Sequence, residues 1–188
     1  LPAGTVFSVT STADSGAGTL RDALAQANAA PNGGSNDRIE FALPLSGSKT
    51  ILPLSGLPAI TDSVDIDGTT QPGFAGTLLI ELNGASAGSG APGLVLTTSN
   101  CTIRGLAINR FRDLGLWIET GSGHMIQGNF IGTDVTGMSA LGNKNGGVLV
   151  FRSANNQIGG TNTADRNLIS GNAGTGLYLW EPATRSNR

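Results

Sequence analysis

Four segments of the chain share one pattern, glycine followed by apolar, any and apolar residues: Gly93-Leu94-Val95-Leu96, Gly115-Leu116-Trp117-Ile118, Gly147-Val148-Leu149-Val150 and Gly176-Leu177-Tyr178-Leu179. Successive glycines stand 22, 32 and 29 residues apart. A second apolar position follows at a nearly constant offset: Ile103, Ile126 and Ile158 come 10, 11 and 11 residues after their glycines. The extra length of the later repeats therefore lies beyond that position, in the polar stretches "GTDVTGMSALGNKN" and "GTNTADRNL". A unit this short, holding several strands, cannot bury a face by itself, whereas stacked copies can. Each strand is then expected to pair with its equivalent one repeat away, parallel and in register, at ~4.8 Å. Gly142-Asn143 and Gly171-Asn172 both sit just ahead of the next glycine strand. Asparagines at matching corners can stack into an amide ladder. The spacing predicts a parallel β-helix.

The rest of the chain agrees with an all-β reading. "RIEFAL", "KTILPL", "SVDIDG", "LLIELNG", "GLVLTT" and "CTIRGLAI" are short strand patterns separated by Gly, Asn, Ser, Pro and Thr. One segment departs from this. In "GTLRDALAQANAAPNGG", Leu20, Ala23, Leu24 and Ala27 fall at helical spacing, with Thr19 and Asp22 placed to cap the start and Pro31 and Gly33-Gly34 to end it. The helix is predicted over 19–29, after a strand in "TVFSVTST". The predicted organisation is a cap over 1–36, strand plus amphipathic helix, and β-helix coils over 37–188.

Composition narrows the function classes. Charged residues make up 13% of the 188 and the net charge is −2, which argues against a nucleic-acid surface. No stretch reaches the ~18 apolar residues of a membrane helix. The 29 glycines lack a collagen period and fit many tight corners. Cys101 is the single cysteine, so no intrachain disulfide forms, and its place beside a strand pattern reads as a small buried residue. The opening Leu1-Pro2-Ala3 fits either removal of a signal peptide or an arbitrary boundary.

"IQGNFIGTDVTGMSALGNKNGGVLV" and "NNQIGGTNTADRNLISGNAGTGLYL" resemble the repeats of secreted bacterial right-handed parallel β-helix proteins of the pectate-lyase-like superfold. "VTSTADSGAGTLRDALAQAN" is similar to the segment that caps such proteins at the N-terminus, and "DGTTQPGFAGT" recurs in them. The resemblance implies a secreted or cell-surface protein. It also implies right-handed coiling, in line with the general rule for parallel crossovers. It does not choose among adhesins, other surface proteins and polysaccharide-active enzymes, since a fold hosts many activities. "GLYLWEPATRSNR" aligns with "GVLVFRSANNQIGG" up to the point where the next strand is due. The expectation is that this strand is missing and that the chain continues in a longer protein or meets a second chain, or another copy, at an open end.

Alternation along the glycine strands turns Val95, Trp117, Leu149 and Tyr178 outward, followed on the same face by Thr97, Glu119, Phe151 and Trp180. Flat aromatics stack on the apolar faces of sugar rings, so Trp117, Phe151, Tyr178 and Trp180 are the candidate polysaccharide-binding residues. Glu119, Arg152 and Glu181 can bond hydroxyls or a uronic carboxylate, and are the candidate catalytic residues if the protein is a polysaccharide lyase or glycoside hydrolase. The competing reading is that a loop, a continuation of the chain or a partner covers these aromatics. A third is a structural spacer or adhesin. Asp65 and Asp67 share a strand face and can meet Ca²⁺, but no cofactor is required by the pattern. Asp134 is expected to brace a turn, and the lone His124 to be structural. Arg104, Arg110 and Arg112 with Asp113 form either an anion site or a surface ion-pair cluster.

Overall fold

In the computed structural model, which describes residues 4–44, 46–180 and 185–188, the period-two patterns become short strands and the one period-3.6 pattern becomes the single α-helix among them. The chain opens with β1 (Val6–Val9), α1 (Leu20–Ala29), β2 (Asp37–Phe41) and β3 (Lys49–Ile51). It then makes four passes of three strands each. These are β4 (Val64–Asp67), β5 (Ile80–Asn83) and β6 (Leu94–Leu96); then β7 (Thr102–Arg104), β8 (Leu106–Asn109) and β9 (Leu114–Ile118). The third and fourth passes are β10 (Met125–Gln127), β11 (Phe130–Ile131) and β12 (Gly146–Phe151), then β13 (Gln157–Ile158), β14 (Leu168–Ile169) and β15 (Thr175–Trp180).

Each pass contributes one strand to each of three sheets, ordered β1-β2-β4-β7-β10-β13, β3-β5-β8-β11-β14 and β6-β9-β12-β15. Every strand pairing within them is parallel. The molecule is predominantly β, built from three stacked parallel sheets and one helix, an arrangement compatible with a parallel β-helix.

Register follows the apolar pattern. In the first sheet Ile39, Ile66, Ile103, Ile126 and Ile158 align one above another. In the second, Ile51, Leu82, Ile108 and Ile131 do the same. In the third, Leu94, Leu116, Val148 and Leu177 form one column, and Leu96, Ile118, Val150 and Leu179 form another. A one-residue slip would turn such a column out to solvent. The interior members from Ile39 through Val150 belong to one buried cluster, and each such side chain contributes about 1.5–3 kcal/mol by leaving water.

Asparagines close the corners. Asn143 Oδ1 accepts from the Phe111 N–H at 3.0 Å, while its Nδ2 donates to Ile108 O at 3.1 Å and to Asn172 Oδ1 at 3.0 Å. Asn129 and Asn167 repeat this relation, as do Asn156 and Asn187. The ladder expected at one corner thus occurs at three. Close backbone approach accounts for Gly84, where a Cβ would run into the Phe111 ring.

The helix has the expected face, with Leu20, Ala23, Leu24 and Ala27 buried against β1 and β2. Thr19 caps it by accepting from the Asp22 N–H at 3.2 Å; Asp22 reaches back to Gly18 N–H rather than to Thr19. Ala30 is extended, as the residue before Pro31 must be.

No strand follows β15 among the described residues, but Asn187 and Arg188 bond to the preceding row. Asn187 Oδ1 accepts from the Asn156 N–H at 2.9 Å, and Arg188 O accepts from the Ile158 N–H at 2.6 Å. The side-chain partner of Asn187 is Asn156, 31 residues earlier, whereas the glycine strands before them are separated by 29.

Candidate functional site

The third sheet presents its outer face through β6, β9, β12 and β15. Leu149 and Tyr178 are register partners, as are Phe151 and Trp180, and Trp117 lies beside Leu149 on the other side. Alternation therefore aims all four aromatics outward, as the sequence pattern requires.

The structure divides them into a cluster and an outlier. Tyr178 and Trp180 lie with ring centroids 6.0 Å apart and planes inclined by 14°, and Phe151 meets Trp180 at 5.3 Å with a 49° tilt. Tyr178 is 49% exposed and Trp180 50%, so the paired rings offer open faces. Trp117 is separated from Tyr178 by Leu149. Its Nε1–H is buried and meets no acceptor, which leaves no donor there for a ligand.

Arg152 follows β12 with a φ of 48°, a left-handed turn that carries its side chain back over its own neighbour. The guanidinium carbon stands 4.7 Å from the Phe151 ring centroid, a cation–π geometry. Glu119 follows β9, half-buried, with its N–H bonded to Leu96 O at 2.9 Å. Glu181, the third charged candidate, lies outside the described residues.

A cleft of about 260 Å³ opens beside the aromatic pair, lined among others by Tyr178, Trp180, Thr175, Asn145 and Asp113. Asn145 Nδ2 donates to Asp113 Oδ1 at 2.8 Å, joining neighbouring passes. Sequence reasoning did not connect Asp113, Asn145 and Thr175 with this face. The signal was present: Asp113 and Asn145 each stand two residues before a glycine of the repeat.

The remaining candidates occupy other parts of the molecule. Asp134 braces the turn after β11, accepting at Oδ1 from Met138 and Ser139 N–H at 3.1 and 3.2 Å and from the Thr136 hydroxyl at 2.9 Å. Desolvation raises its pKa, but the bonds from Ser139, Thr136 and Met138 outweigh it and hold the carboxyl below its ordinary value. His124 is fully buried. Its Nδ1 accepts from the Cys101 N–H at 3.3 Å, which places the proton on Nε2, facing Thr120 O at 3.4 Å. Burial pushes its pKa down. Burial likewise pushes the Cys101 thiol up to about 11, so it is no nucleophile near neutral pH.

Asp67 accepts from the Thr69 N–H and hydroxyl, and lies 3.5 Å from Arg104 Nε. Asp65 accepts from Asn36 at 3.0 Å. Among the described residues no three His, Cys, Asp or Glu side chains gather closely enough to hold a metal ion. No helix among them is long and apolar enough to cross a membrane. Arg104 with Asp67, and Asp113 with Asn145, divide the expected arginine cluster between two sheets. No family model matches the chain, and no curated protein matches it.

Proposed function

We propose that the chain is a right-handed parallel β-helix, secreted or displayed at a cell surface, that binds polysaccharide through the outer face of its third sheet. The observation that carries this reading is the near-parallel pair Tyr178–Trp180, half-exposed beside a cleft edged by Asp113, Asn145 and Thr175. Two rings held two residues apart on one strand offer a stacking surface with little entropy to lose, and the polar edge offers hydroxyl partners. Arg152 and Glu119 flank this surface as sugar-contacting residues. The geometry supports binding more than bond cleavage, because Arg152 is engaged by Phe151.

The experiment is retention of the full chain on a panel of immobilised neutral and acidic polysaccharides. Replacing Tyr178 and Trp180 together by alanine is expected to weaken binding about tenfold, on the order of 1.4 kcal/mol. Trp117→Ala should change it much less. Unaltered retention by the double variant, with its thermal unfolding unchanged, would sink the platform reading. Appearance of new reducing ends or unsaturated products during incubation would instead establish an enzyme.

A further inference from the structure

A second concavity, of about 470 Å³, lies where the first sheet turns into the second. Its size is that of a ligand site. It runs along the stack over four successive passes, from the segment after β4 to the segment after β13, a span of about 14 Å at the strand spacing. Two insertions wall it. One carries Phe74, half-buried, between β4 and β5; the other carries Thr163 and Arg166, between β13 and β14. Neither belongs to the strands that build the core.

The floor is kept low by Gly105 and Gly128. Both adopt positive φ, 74° and 62°, and a Cβ on either would strike the opposite wall, at Thr69 and at the Ala164 carbonyl. The walls combine two kinds of surface. Phe74, Phe130 and Leu168 are apolar, while Arg104, Gln127 and Arg166 are polar. Arg104 and Gln127 are register partners at the ends of β7 and β10.

The charges in this groove and beside it are unevenly committed. Asp67 is held by Thr69 and Arg104, and Asp165 is held by the Asn162 N–H and amide at 3.3 and 3.0 Å. Arg104 remains 44% exposed despite its ion pair. Arg166 is exposed and has no carboxylate partner among the described residues. Gln127 donates its Nε2 to Gly159 O at 3.2 Å, which leaves its Oε1 as an acceptor. Guanidinium donors beside an aromatic wall and a neutral amide acceptor suit a sugar ring that bears an anion and a free hydroxyl.

We propose that this groove is a second binding site, separate from the aromatic face, for an acidic saccharide whose carboxylate or sulfate lies against Arg104 and Arg166 and whose ring packs on Phe130. The saccharide class rests on the polysaccharide reading above; the anion preference rests on the groove alone.

The test is calorimetric titration of the full chain with three oligosaccharides of equal length: neutral, uronic and sulfated. At least one acidic ligand should bind more tightly than the neutral one, and its affinity should fall with added salt. Arg166→Gln should lower that affinity by about tenfold or more, an effect of charge-assisted hydrogen bonds, while leaving the neutral ligand unaffected. Arg104→Gln should act in the same direction, and Arg104→Lys should restore part of the loss. The Tyr178→Ala, Trp180→Ala double variant should keep the acidic-over-neutral preference even where overall affinity drops. If neither acidic ligand is preferred, or if the Arg166→Gln chain keeps the preference with its fold intact, the groove proposal is overturned. If the preference responds to Arg166 while the aromatic double variant changes nothing, the groove stands and the aromatic-face reading falls.

Discussion

The two ends of the stack bear the same kinds of side chain and treat them differently. At the N-terminal end, Val9 and Ile39 are fully buried under α1, and Leu20 and Leu24 of the helix are buried with them. Polar bonds stitch this cover down. Asn28 donates to Ala59 O and accepts from the Thr61 N–H, Asn32 donates to Asp62 and Ser63, and Arg21 donates to Ser55 O and Gly56 O. At the other end Leu177 and Leu179 occupy inward positions in register with Val148 and Val150, yet are 41% and 45% exposed. Burial in this architecture is conferred by the next row rather than by the strand itself. Identical residues can thus carry very different weight.

Substitutions at matched positions turn that contrast into numbers. Leu24→Ala should be the most costly, about 2–5 kcal/mol, because it opens a cavity beneath the cover. Urea unfolding monitored by circular dichroism would show it as a lower midpoint with an unchanged slope. Asn143→Ala should come next, at about 1–3 kcal/mol, since it strands the buried Phe111 N–H, whereas the Ile108 carbonyl keeps the Gly132 N–H. Asn187→Ala, in the outermost rung, should cost clearly less by the same assay. A reversed order would mean that the rungs do not act independently.

The interior also predicts a pH response. His124 has a folded pKa below its unfolded value of 6.5, so the folded state favours the neutral ring. Its contribution is fully present above pH 6.5 and is lost as pH falls from there toward the lowered folded value. Stability measured between pH 8 and 5 should decline on the acid side, and His124→Gln should flatten that decline. Asp134, with its folded pKa below 3.8, contributes above that pH and loses its contribution as pH falls further. Leu177→Ala should show the smallest effect, under about 1 kcal/mol, because 41% of its surface is already in water. A loss as large as that of Leu24→Ala would show that some other surface covers the C-terminal row in solution.

Most of the register was legible because it rests on one local rule. Glycine followed by alternating apolar residues placed Leu94, Leu116, Val148 and Leu177 in one column, and the structure pairs them so. The helix was legible for the same reason, its period standing alone among strands. What escaped was whatever depends on corner length. The Asn129–Asn167 and Asn156–Asn187 rungs lie across corners of unequal size, so no fixed offset reveals them. The site divides along the same line. Tyr178, Trp180 and Phe151 follow from alternation within strands, whereas the Asp113–Asn145 bond and the Arg166 groove arise between passes. Leu149 intervening between Trp117 and Tyr178 was visible in the repeat, yet only the stacking order gives it meaning as a spacer.

The constant pairing of each strand with its equivalent one pass earlier bears on how the molecule is made. Paired strands lie 22 to 38 residues apart in the chain, and the template for each new strand is its equivalent in the pass synthesised just before it. A ribosome releases such a length within a few seconds, at roughly 5–20 residues per second. The helix-covered end emerges first and offers a finished edge. Growth can then proceed row upon row while the rest is still being translated, each addition closing a loop of modest length.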